Sequence, residues 1–307
     1  MKLTREETLK HMATKVSAGI LYLAGVDQNG VAKAAACTEG VELPDDFKAW
    51  QDIVAISTSE FSIIGLKSDG TVVAAGRDED GNDEYGETAV EDWKDIVAIS
   101  TSSTRTMGLK SDGTVVSTAF TTAFNGDADN WADETSDWKD IIMVAVSNVH
   151  AVGLKSDGTV VSTKVSAEDF DTGQYEVGEW TDIVMISVGD DYTVGLKSDG
   201  TVVTAGDAYY YQTDGVDEWE SIVAVSASDT HLVGLKSDGT VIGAGGDPVA
   251  AEERTELEGW TDIIAVAAGD RYTVGLKSDG TVVFASFEDG SDERDLGIDN
   301  WHLPVDL

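Results

Sequence analysis

The sequence predicts an all-β protein folded as a seven-bladed β-propeller with about 42 residues per blade. Three observations predict this fold. The heptapeptide Gly-Leu-Lys-Ser-Asp-Gly-Thr occurs six times at intervals of 39 to 45 residues, a tryptophan lies 15 residues before every copy, and β-branched runs flank each copy. The copies begin at Gly65, Gly108, Gly153, Gly195, Gly234 and Gly275, after Trp50, Trp93, Trp138, Trp180, Trp219 and Trp260.

Each repeat predicts three short strands joined by turns. In the fourth copy, the apolar run 183–186 predicts the first strand, 192–196 the second and 201–203 the third. The Asp-Gly pair between the last two runs is a strong hairpin signal, because both central residues of a type I′ turn need positive φ. The first run is apolar throughout, as expected for a strand between neighbouring sheets.

The two ends of the chain are predicted to share the remaining blade. Residues 25–31 form a decayed repeat that keeps both glycines, but Lys10 stands where a tryptophan is expected and Trp301 lies near the other end. We therefore expect a composite blade from the N- and C-terminal segments that closes the ring and removes exposed strand edges. Residues 1–307 are then one domain. Residues 1–11 form an N-terminal extension in which Thr4 and Glu7 are spaced like a helix capping box.

Composition excludes several classes of function. The 58 acidic and 20 basic residues give a net charge of −38, which opposes binding to nucleic-acid phosphates and to anionic membranes. The single cysteine, Cys37, leaves no intramolecular disulfide and no Cys-rich zinc site. We find no secretory or membrane-spanning apolar run, so we expect a monomeric cytoplasmic protein, or an extracellular one if a signal has been removed.

The repeat resembles those of the regulator of chromosome condensation superfamily. Its pattern is Trp-x-Asp-Ile-Val-Ala-Ile-Ser followed by Tyr-Thr-Val-Gly-Leu-Lys-Ser-Asp-Gly-Thr-Val-Val. This pattern is most similar to the short bacterial form, also seen in the propeller-type β-lactamase inhibitor protein, and it covers the chain after about residue 12. The resemblance implies a seven-bladed propeller that binds protein through one loop face. It implies no target, because the inhibitor's contact residues do not align one by one with the loops here.

The repeats differ in two places, and strand direction brings both to one face. These places are the tip between the first and second strands and the segment after the third strand. We call this the variable face, and the opposite face with the Ser-Asp-Gly-Thr turns the constant face. Binding scaffolds vary their loops, and aromatic residues among Asp and Arg are typical interface anchors. The candidate partner-binding residues are Glu60, Phe61, Arg77, Ser103, Thr104, Phe124, Trp131, Asp190, Asp191, Tyr209, Tyr210, Tyr211, Asp229, Thr230, Asp270, Arg271 and Phe287.

These features predict a non-enzymatic recognition module that binds a macromolecule, and a protein in the first place, through the variable face. Six of the 20 basic residues are repeat lysines of the constant face, so we expect acidity to concentrate on the variable face and to favour a partner with a basic surface. One alternative is a structural or engineered repeat scaffold without a natural ligand. Another is a propeller enzyme with its site at the mouth of the central channel.

We predict no catalytic residue, cofactor or metal ion. The turn aspartates and the aspartates two residues after the tryptophans have structural explanations. His150 and His231 occupy the position of Tyr192 and Tyr272, so we expect them to pack within the blades. The acidic stretch 78–84 alternates like a calcium loop, but Asp83 stands where such a loop needs glycine, which favours a solvated loop.

Overall fold

Seven sheets of three antiparallel strands make up the described part of the chain. The structure is a computed structural model that describes residues 16–37, 41–76, 86–118, 134–163, 171–207, 209, 211–245, 257, 259–286, 298 and 301–305. In every sheet the strands lie in chain order, so that each strand pairs with the next. The prediction of a seven-bladed propeller is confirmed, and the sheets are numbered blades 1 to 7 along the chain.

The strand bounds are as follows. Blade 1 contains β1 (Val16–Ala18), β2 (Tyr22–Val26) and β3 (Ala32–Ala36); blade 2 contains β4 (Ile53–Thr58), β5 (Ser62–Lys67) and β6 (Val72–Gly76). Blade 3 contains β7 (Ile96–Thr101), β8 (Thr106–Lys110) and β9 (Val115–Ser117); blade 4 contains β10 (Ile141–Val146), β11 (Ala151–Lys155) and β12 (Val160–Ser162). Blade 5 contains β13 (Ile183–Val188), β14 (Tyr192–Lys197) and β15 (Val202–Gly206). Blade 6 contains β16 (Ile222–Ala227), β17 (His231–Lys236) and β18 (Val241–Gly245); blade 7 contains β19 (Ile263–Ala268), β20 (Tyr272–Lys277) and β21 (Val282–Ser286). Short 3₁₀ helices precede blades 2 and 6 at Asp45–Ala49 and Val216–Glu218.

The first strand of every blade lies at the centre of the ring. Around the circle, β1, β4, β7, β10, β13, β16 and β19 are consecutive neighbours, and β19 lies beside β1 again. Together they line a central channel of about 250 Å³. No helix in the described ranges is long and apolar enough to cross a membrane.

Each tryptophan of the repeat packs on a glycine of its own blade. A Cβ added to Gly65 would lie 2.8 Å from the ring of Trp50, and the equivalent distance in the five other repeats is 2.7 to 2.9 Å. Carbon atoms cannot approach so closely, so the second strand needs glycine at this position. This contact explains the constant spacing of 15 residues between the tryptophan and the glycine.

Backbone hydrogen bonds join each blade to the one before it. The N–H of the residue three positions after the tryptophan donates to the carbonyl of the preceding blade's turn glycine, for example Ile53 to Gly30 at 2.9 Å and Ile222 to Gly200 at 3.1 Å. The residue just before this donor has φ of 59 to 64° and is Asp in five repeats and Ser221 in the sixth. Asp is among the residues that best tolerate this left-handed conformation, which explains the repeated aspartate.

The Lys-Ser-Asp-Gly-Thr turn differs from the predicted type I′ turn. In blade 2, the Gly70 N–H donates to the Lys67 carbonyl at 3.0 Å and the Lys67 N–H donates to the Thr71 carbonyl at 2.9 Å. Only the glycine has positive φ, at +81°. This is a three-residue hairpin with a glycine bulge. Asp69 Oδ1 accepts the Thr71 N–H at 3.0 Å and its hydroxyl at 2.6 Å, so these aspartates stabilise the turns, as predicted.

The expected concentration of acidity on the variable face stays a prediction, because most of the acidic segments after the third strands lie outside the described residues. Each repeat lysine shares the constant face with the aspartate two residues later in the turn, and five of the six also lie near the left-handed aspartate. The carbonyl of Asp52 accepts the N–H of Ser68, which places both aspartates of blade 2 beside Lys67. Acidic residues therefore outnumber the repeat lysines on the constant face as well.

The C-terminal segment closes the ring between blades 7 and 1. Trp301 is 7% exposed and packs with Leu303, Val16 and Leu23 in one apolar cluster. The Leu303 N–H donates to the Gly280 carbonyl at 2.9 Å, which is the bond that the other blades make to the preceding turn. Residues 301–305 form no strand, so closure depends on packing and this bond. The predicted extension 1–11 lies outside the described residues.

Gly195→Ala tests the contact between tryptophan and glycine. We expect the free energy of unfolding to fall by about 1–3 kcal/mol, because the methyl group must displace the Trp180 ring. The matched control is Gly178→Ala, since nothing lies within 4 Å of a Cβ at Gly178. Urea denaturation of both variants measures the difference, and equal stabilities would contradict the packing account.

Trp301→Ala tests the closure of the ring. We expect a loss of about 3–5 kcal/mol, comparable with that of Trp219→Ala, because both rings are buried in the blade core. The adjacent exposed residue supplies the control His302→Ala, which should leave the urea midpoint nearly unchanged. A Trp301→Ala variant as stable as this control would show that the C-terminal segment does not close the ring.

Candidate partner-binding face and channel mouth

Seven loops of equal geometry surround one mouth of the central channel. Each joins the first and second strands of a blade and is closed by a backbone hydrogen bond, such as Ser59 N–H to the Ser62 carbonyl at 2.9 Å and Gly269 N–H to the Tyr272 carbonyl at 2.8 Å. Two residues form each tip. The first tip residue faces a cavity of about 120 Å³ at the mouth. We call these seven residues the mouth ring: Ile20, Glu60, Ser103, Asn148, Asp190, Asp229 and Asp270.

The structure divides the candidate residues predicted at the tips into two groups. Glu60, Ser103, Asp190, Asp229 and Asp270 belong to the mouth ring. The second tip residues, which do not line the cavity, are Phe61, Thr104, Asp191, Thr230 and Arg271. Among these, Arg271 is exposed, whereas Thr104 is only 5% exposed and therefore offers little surface to a partner.

The mouth ring is held together by hydrogen bonds between blades. The Ser103 N–H donates to Asn148 Oδ1 at 3.0 Å, the Asn148 N–H donates to Asp190 Oδ1 at 2.8 Å, and the Asp190 N–H donates to Asp229 Oδ1 at 2.9 Å. A short polar side chain on one blade thus accepts the backbone N–H of the preceding blade. The ring residues are therefore structural as well as surface groups.

Below the mouth, serine side chains join the first strands of neighbouring blades. Thr58, Thr101 and Val146 donate their backbone N–H groups to Ser17, Ser57 and Ser100 Oγ, each at 3.1 Å. Ala227 and Ala268 donate in the same way to Ser187 and Ser226, at 2.9 Å. These bonds join five of the seven neighbouring pairs of first strands and support the mouth from below.

Burial changes the ionisation of the acidic mouth residues. It raises the pKa of Glu60 and of Asp190. It also raises the pKa of Asp229 to about 7, with a further increase from the neighbouring negative charge of Asp190. The mouth is therefore less charged at neutral pH than its sequence implies.

The two histidines, His150 just before β11 and His231 at the start of β17, pack between blades, as predicted. His150 Nε2 lies 2.7 Å from Thr193 Oγ1 on the next blade, and His231 Nε2 lies 2.8 Å from Thr273 Oγ1. Burial lowers the pKa of His150 to about 4 and that of His231 to about 3, so both rings are neutral at physiological pH. Tyr192 occupies the same position in blade 5 and donates its hydroxyl to the Ser228 carbonyl at 2.8 Å.

Two of the candidate tyrosines are exposed next to the mouth ring. Tyr209 is 79% and Tyr211 57% exposed, which is unusual for aromatic side chains. The buried Gln212 fixes this segment, because its Nε2 donates to the Asp229 carbonyl at 2.6 Å. The remaining candidates lie outside the described residues: Arg77, Phe124, Trp131, Tyr210 and Phe287.

Sequence reasoning missed three contributors to this face. Asn148 and Ile20 occupy mouth-ring positions but were not among the candidates, although both align with the first tip residue of the other repeats. Gln212 supports the tyrosines from below. A glutamine also precedes the tryptophan of blade 5, six residues before it instead of seven, and the Gln174 carbonyl accepts the Thr193 hydroxyl at 2.7 Å. Comparison of the connecting segments with allowance for this one-residue shift could have identified Gln212.

The described residues contain no group of three or more His, Cys, Asp or Glu side chains arranged to hold a metal ion. The acidic stretch 78–84, which was weighed as a calcium loop, lies outside the described residues.

Comparison with known proteins identifies the fold but no family. No protein-family model matches the chain, and no curated protein sequence matches it. The chain is similar to the crystal structure of the CRINKLY WD40 ectodomain of the Arabidopsis thaliana receptor kinase ACR4, with a TM-score of 0.65 and 13% identity over 89% of this chain and 94% of that one. It is also similar to the ectodomain of the Physcomitrella patens receptor kinase CR4, with a TM-score of 0.59 and 16% identity over 85% of this chain and 69% of that one.

A third similarity, to Prp20p of Saccharomyces cerevisiae, has a TM-score of 0.42 and 14% identity over 89% of this chain and 71% of that one. A TM-score this low supports no argument. Likenesses at 13 to 16% identity establish a shared fold only. The chain has the propeller fold of the two receptor ectodomains. Its resemblance to the regulator of chromosome condensation superfamily is one of repeat motif only.

Proposed function

We propose that this protein is a non-enzymatic recognition module, and that it binds a protein partner through the mouth ring and the adjacent tyrosines. The observation that carries the proposal is the contrast between a repeated framework and changing tips. Each of the seven tip loops is closed by an equivalent backbone hydrogen bond, yet the first tip residues are Ile, Glu, Ser, Asn and three times Asp. A rigid ring that presents different side chains in equivalent places is suited to recognition.

The side chains of this face indicate the chemistry of the partner. Glu60, Asp190, Asp229 and Asp270 surround the mouth, and Arg271 lies 3.5 Å from Asp270 at its edge. Tyr209 and Tyr211 add large, rigid and exposed contact area beside them. Tyrosines anchor interfaces at low entropic cost, while carboxylates favour a partner with lysine or arginine on its surface. The expected partner is therefore a protein with a basic patch.

Two other functions remain distinguishable by experiment. A structural or engineered scaffold would bind no partner through this face, and its tip residues would be interchangeable. A propeller enzyme would turn over a small molecule at the mouth, and Ala substitution of mouth-ring carboxylates would abolish that turnover. Both alternatives predict that the exposed tyrosines contribute nothing to protein binding.

Removal of the exposed tyrosines should weaken binding. We expect the double variant Tyr209→Ala/Tyr211→Ala to lose at least tenfold in affinity, because truncation of an aromatic anchor costs about 2 kcal/mol or more. The partner is first captured from native lysate on the unchanged protein, and calorimetry then measures its Kd with each variant. Thr181→Ala is the control, since Thr181 is exposed on the constant face beside the left-handed Asp182. Equal affinity of all three proteins would contradict the proposed face.

Association with the partner should depend on salt. With a net charge of −38 and carboxylates around the mouth, electrostatic attraction to a basic patch accelerates encounter and is screened by ions. We expect the association rate constant, measured by stopped flow, to fall at least severalfold between about 0.02 and 0.5 M NaCl, while the dissociation rate changes less. A rate independent of salt would show that the acidic mouth does not select the partner.

A further inference from the structure

A ring of apolar side chains surrounds the central channel on the constant face. In blades 2 to 7, the pairing of the first strand with the second shifts by one residue near the start of the first strand, for example between Ile53 and Ala55. The extra residue forms a β-bulge, and in each of these blades it is valine or isoleucine. We call these six residues the lower rim: Val54, Val97, Ile142, Val184, Val223 and Ile264.

The neighbours of the lower rim fix its position in the fold. The residue just before each rim residue donates its N–H to the turn glycine of the preceding blade, as Ile53 does to Gly30, so the rim lies level with the turns of the constant face. The first strands line the channel, and Ile264 contributes to its wall. The lower rim therefore surrounds the end of the channel opposite the mouth ring.

The C-terminal segment completes the lower rim at blade 1. The Leu303 N–H binds the turn of blade 7, as the residue before every rim residue binds the turn of its preceding blade. Pro304 and Val305 follow Leu303 and thus stand at the rim position of blade 1. Residues 301–305 therefore take the path by which the chain enters the first strand in the other blades. The residues before β1 must leave the lower rim by another route.

Part of the lower rim is exposed to solvent. The described residues contain six exposed large apolar side chains, and three of them lie here: Val54 at 38%, Val97 at 40% and Val305 at 39%. A fourth, Val31, is 40% exposed and follows Gly30, whose carbonyl accepts the N–H of the residue before Val54. Apolar residues exposed singly need no explanation, but a group around one opening marks a surface that another segment covers.

The charges of the rim beside blade 1 favour a basic segment. The exposed Asp52 of blade 2 and Asp262 of blade 7 stand two residues before their rim residues. The turn lysine and the turn aspartate of each blade offset each other, which leaves these two carboxylates as excess negative charge. Lys94 and Lys139 adjoin the equivalent aspartates in blades 3 and 4, so no such excess arises there. The place where the chain leaves β1 is therefore acidic as well as apolar.

Residues 1–15, which lie outside the described residues, have a complementary charge. They contain four of the chain's 20 basic residues and two of its 58 acidic residues, although they make up about a twentieth of the chain. The basic residues are Lys2, Arg5, Lys10 and Lys15. Electrostatic attraction thus favours contact between this segment and the carboxylates beside blade 1.

The same segment carries apolar side chains at a suitable spacing. Leu9 and Met12 are three residues apart, which places them on one face of the helix that the capping-box spacing of Thr4 and Glu7 predicts. They precede Val16 by seven and four residues, which limits their distance from it to about 23 and 13 Å of extended chain. This tether keeps both side chains at a high effective concentration beside the rim.

We propose that residues 1–12 dock on the lower rim, with Leu9 and Met12 on its exposed valines and the basic side chains beside Asp52 and Asp262. The segment then covers the end of the channel on the constant face and leaves the mouth ring as the open end. This docking does not depend on the proposed partner binding, because it concerns the opposite face.

Thiol labelling tests the docking on the full chain. Cys37→Ala removes the single cysteine, and Val97→Cys then places one thiol on the lower rim with little loss of apolar character. We expect a maleimide to label this thiol roughly fivefold faster or more when Leu9→Asp/Met12→Asp is added, because the two apolar contacts that hold the segment are lost.

The matched control places the thiol away from the rim. Asp214 is exposed and donates its N–H to the Tyr211 carbonyl, next to the variable face. With Asp214→Cys in place of Val97→Cys, the labelling rate should be the same with and without Leu9→Asp/Met12→Asp. Equal rates at the rim thiol as well would overturn the proposal.

A distance measurement keeps the test valid if the aspartate variants fail to fold. Spin labels at Lys10→Cys and Lys94→Cys, in the Cys37→Ala background, leave Leu9, Met12 and the rim valines unchanged. Docking predicts one narrow distribution of distances between the two labels by double electron–electron resonance, and a broad distribution would refute it. Protein labelled at Lys94→Cys alone should show no distance between molecules. Such a distance would show that a second copy covers the rim and would also refute the proposal.

Discussion

Close packing of an indole ring against a glycine without a Cβ holds together six blades of this propeller. Because the ring approaches within 2.7 to 2.9 Å of the place where a Cβ would stand, neither partner can be exchanged alone. The tryptophan also begins the segment whose backbone N–H binds the turn of the preceding blade. One contact therefore fixes both the interior of a blade and its junction with the preceding blade, and the repeated motif preserves the residues that make it.

This dependence leaves the opposite end of the strands free to change. Serine bonds between the first strands hold the channel wall, and one backbone bond shapes every tip loop, whatever the tip residues are. The tip residues can therefore vary without loss of the fold, as long as the cost of burying a polar or charged side chain there stays small. Asp229 at the mouth already carries such a cost, because its carboxyl accepts a structural hydrogen bond and burial disfavours its negative charge.

Sequence reasoning predicted the blade number, the strands and the closing role of Trp301, because each depends on local periodicity or on spacing within one repeat. It failed on the geometry of the hairpin turn and where the outcome depends on contacts between repeats. The turn contains a glycine bulge instead of a type I′ geometry, since Asp69 bonds Thr71 and only Gly70 takes positive φ. Sequence reasoning also counted the lysines of the constant face without the aspartates of the adjoining segment that share it. The division of each tip into a mouth residue and an outer residue requires the curvature of the ring, which no linear pattern contains.

The central claim is that the variable face around the channel mouth is the surface that a protein partner covers. Hydrogen exchange of the backbone amides, measured with and without the captured partner, tests this claim most directly. The account predicts that protection on binding is confined to the tip loops, such as 59–61, 189–191, 228–230 and 269–271, and to the segment around Tyr209 and Tyr211. Protection of the Ser-Asp-Gly-Thr turns on the constant face, with unchanged exchange at the tips, would contradict it.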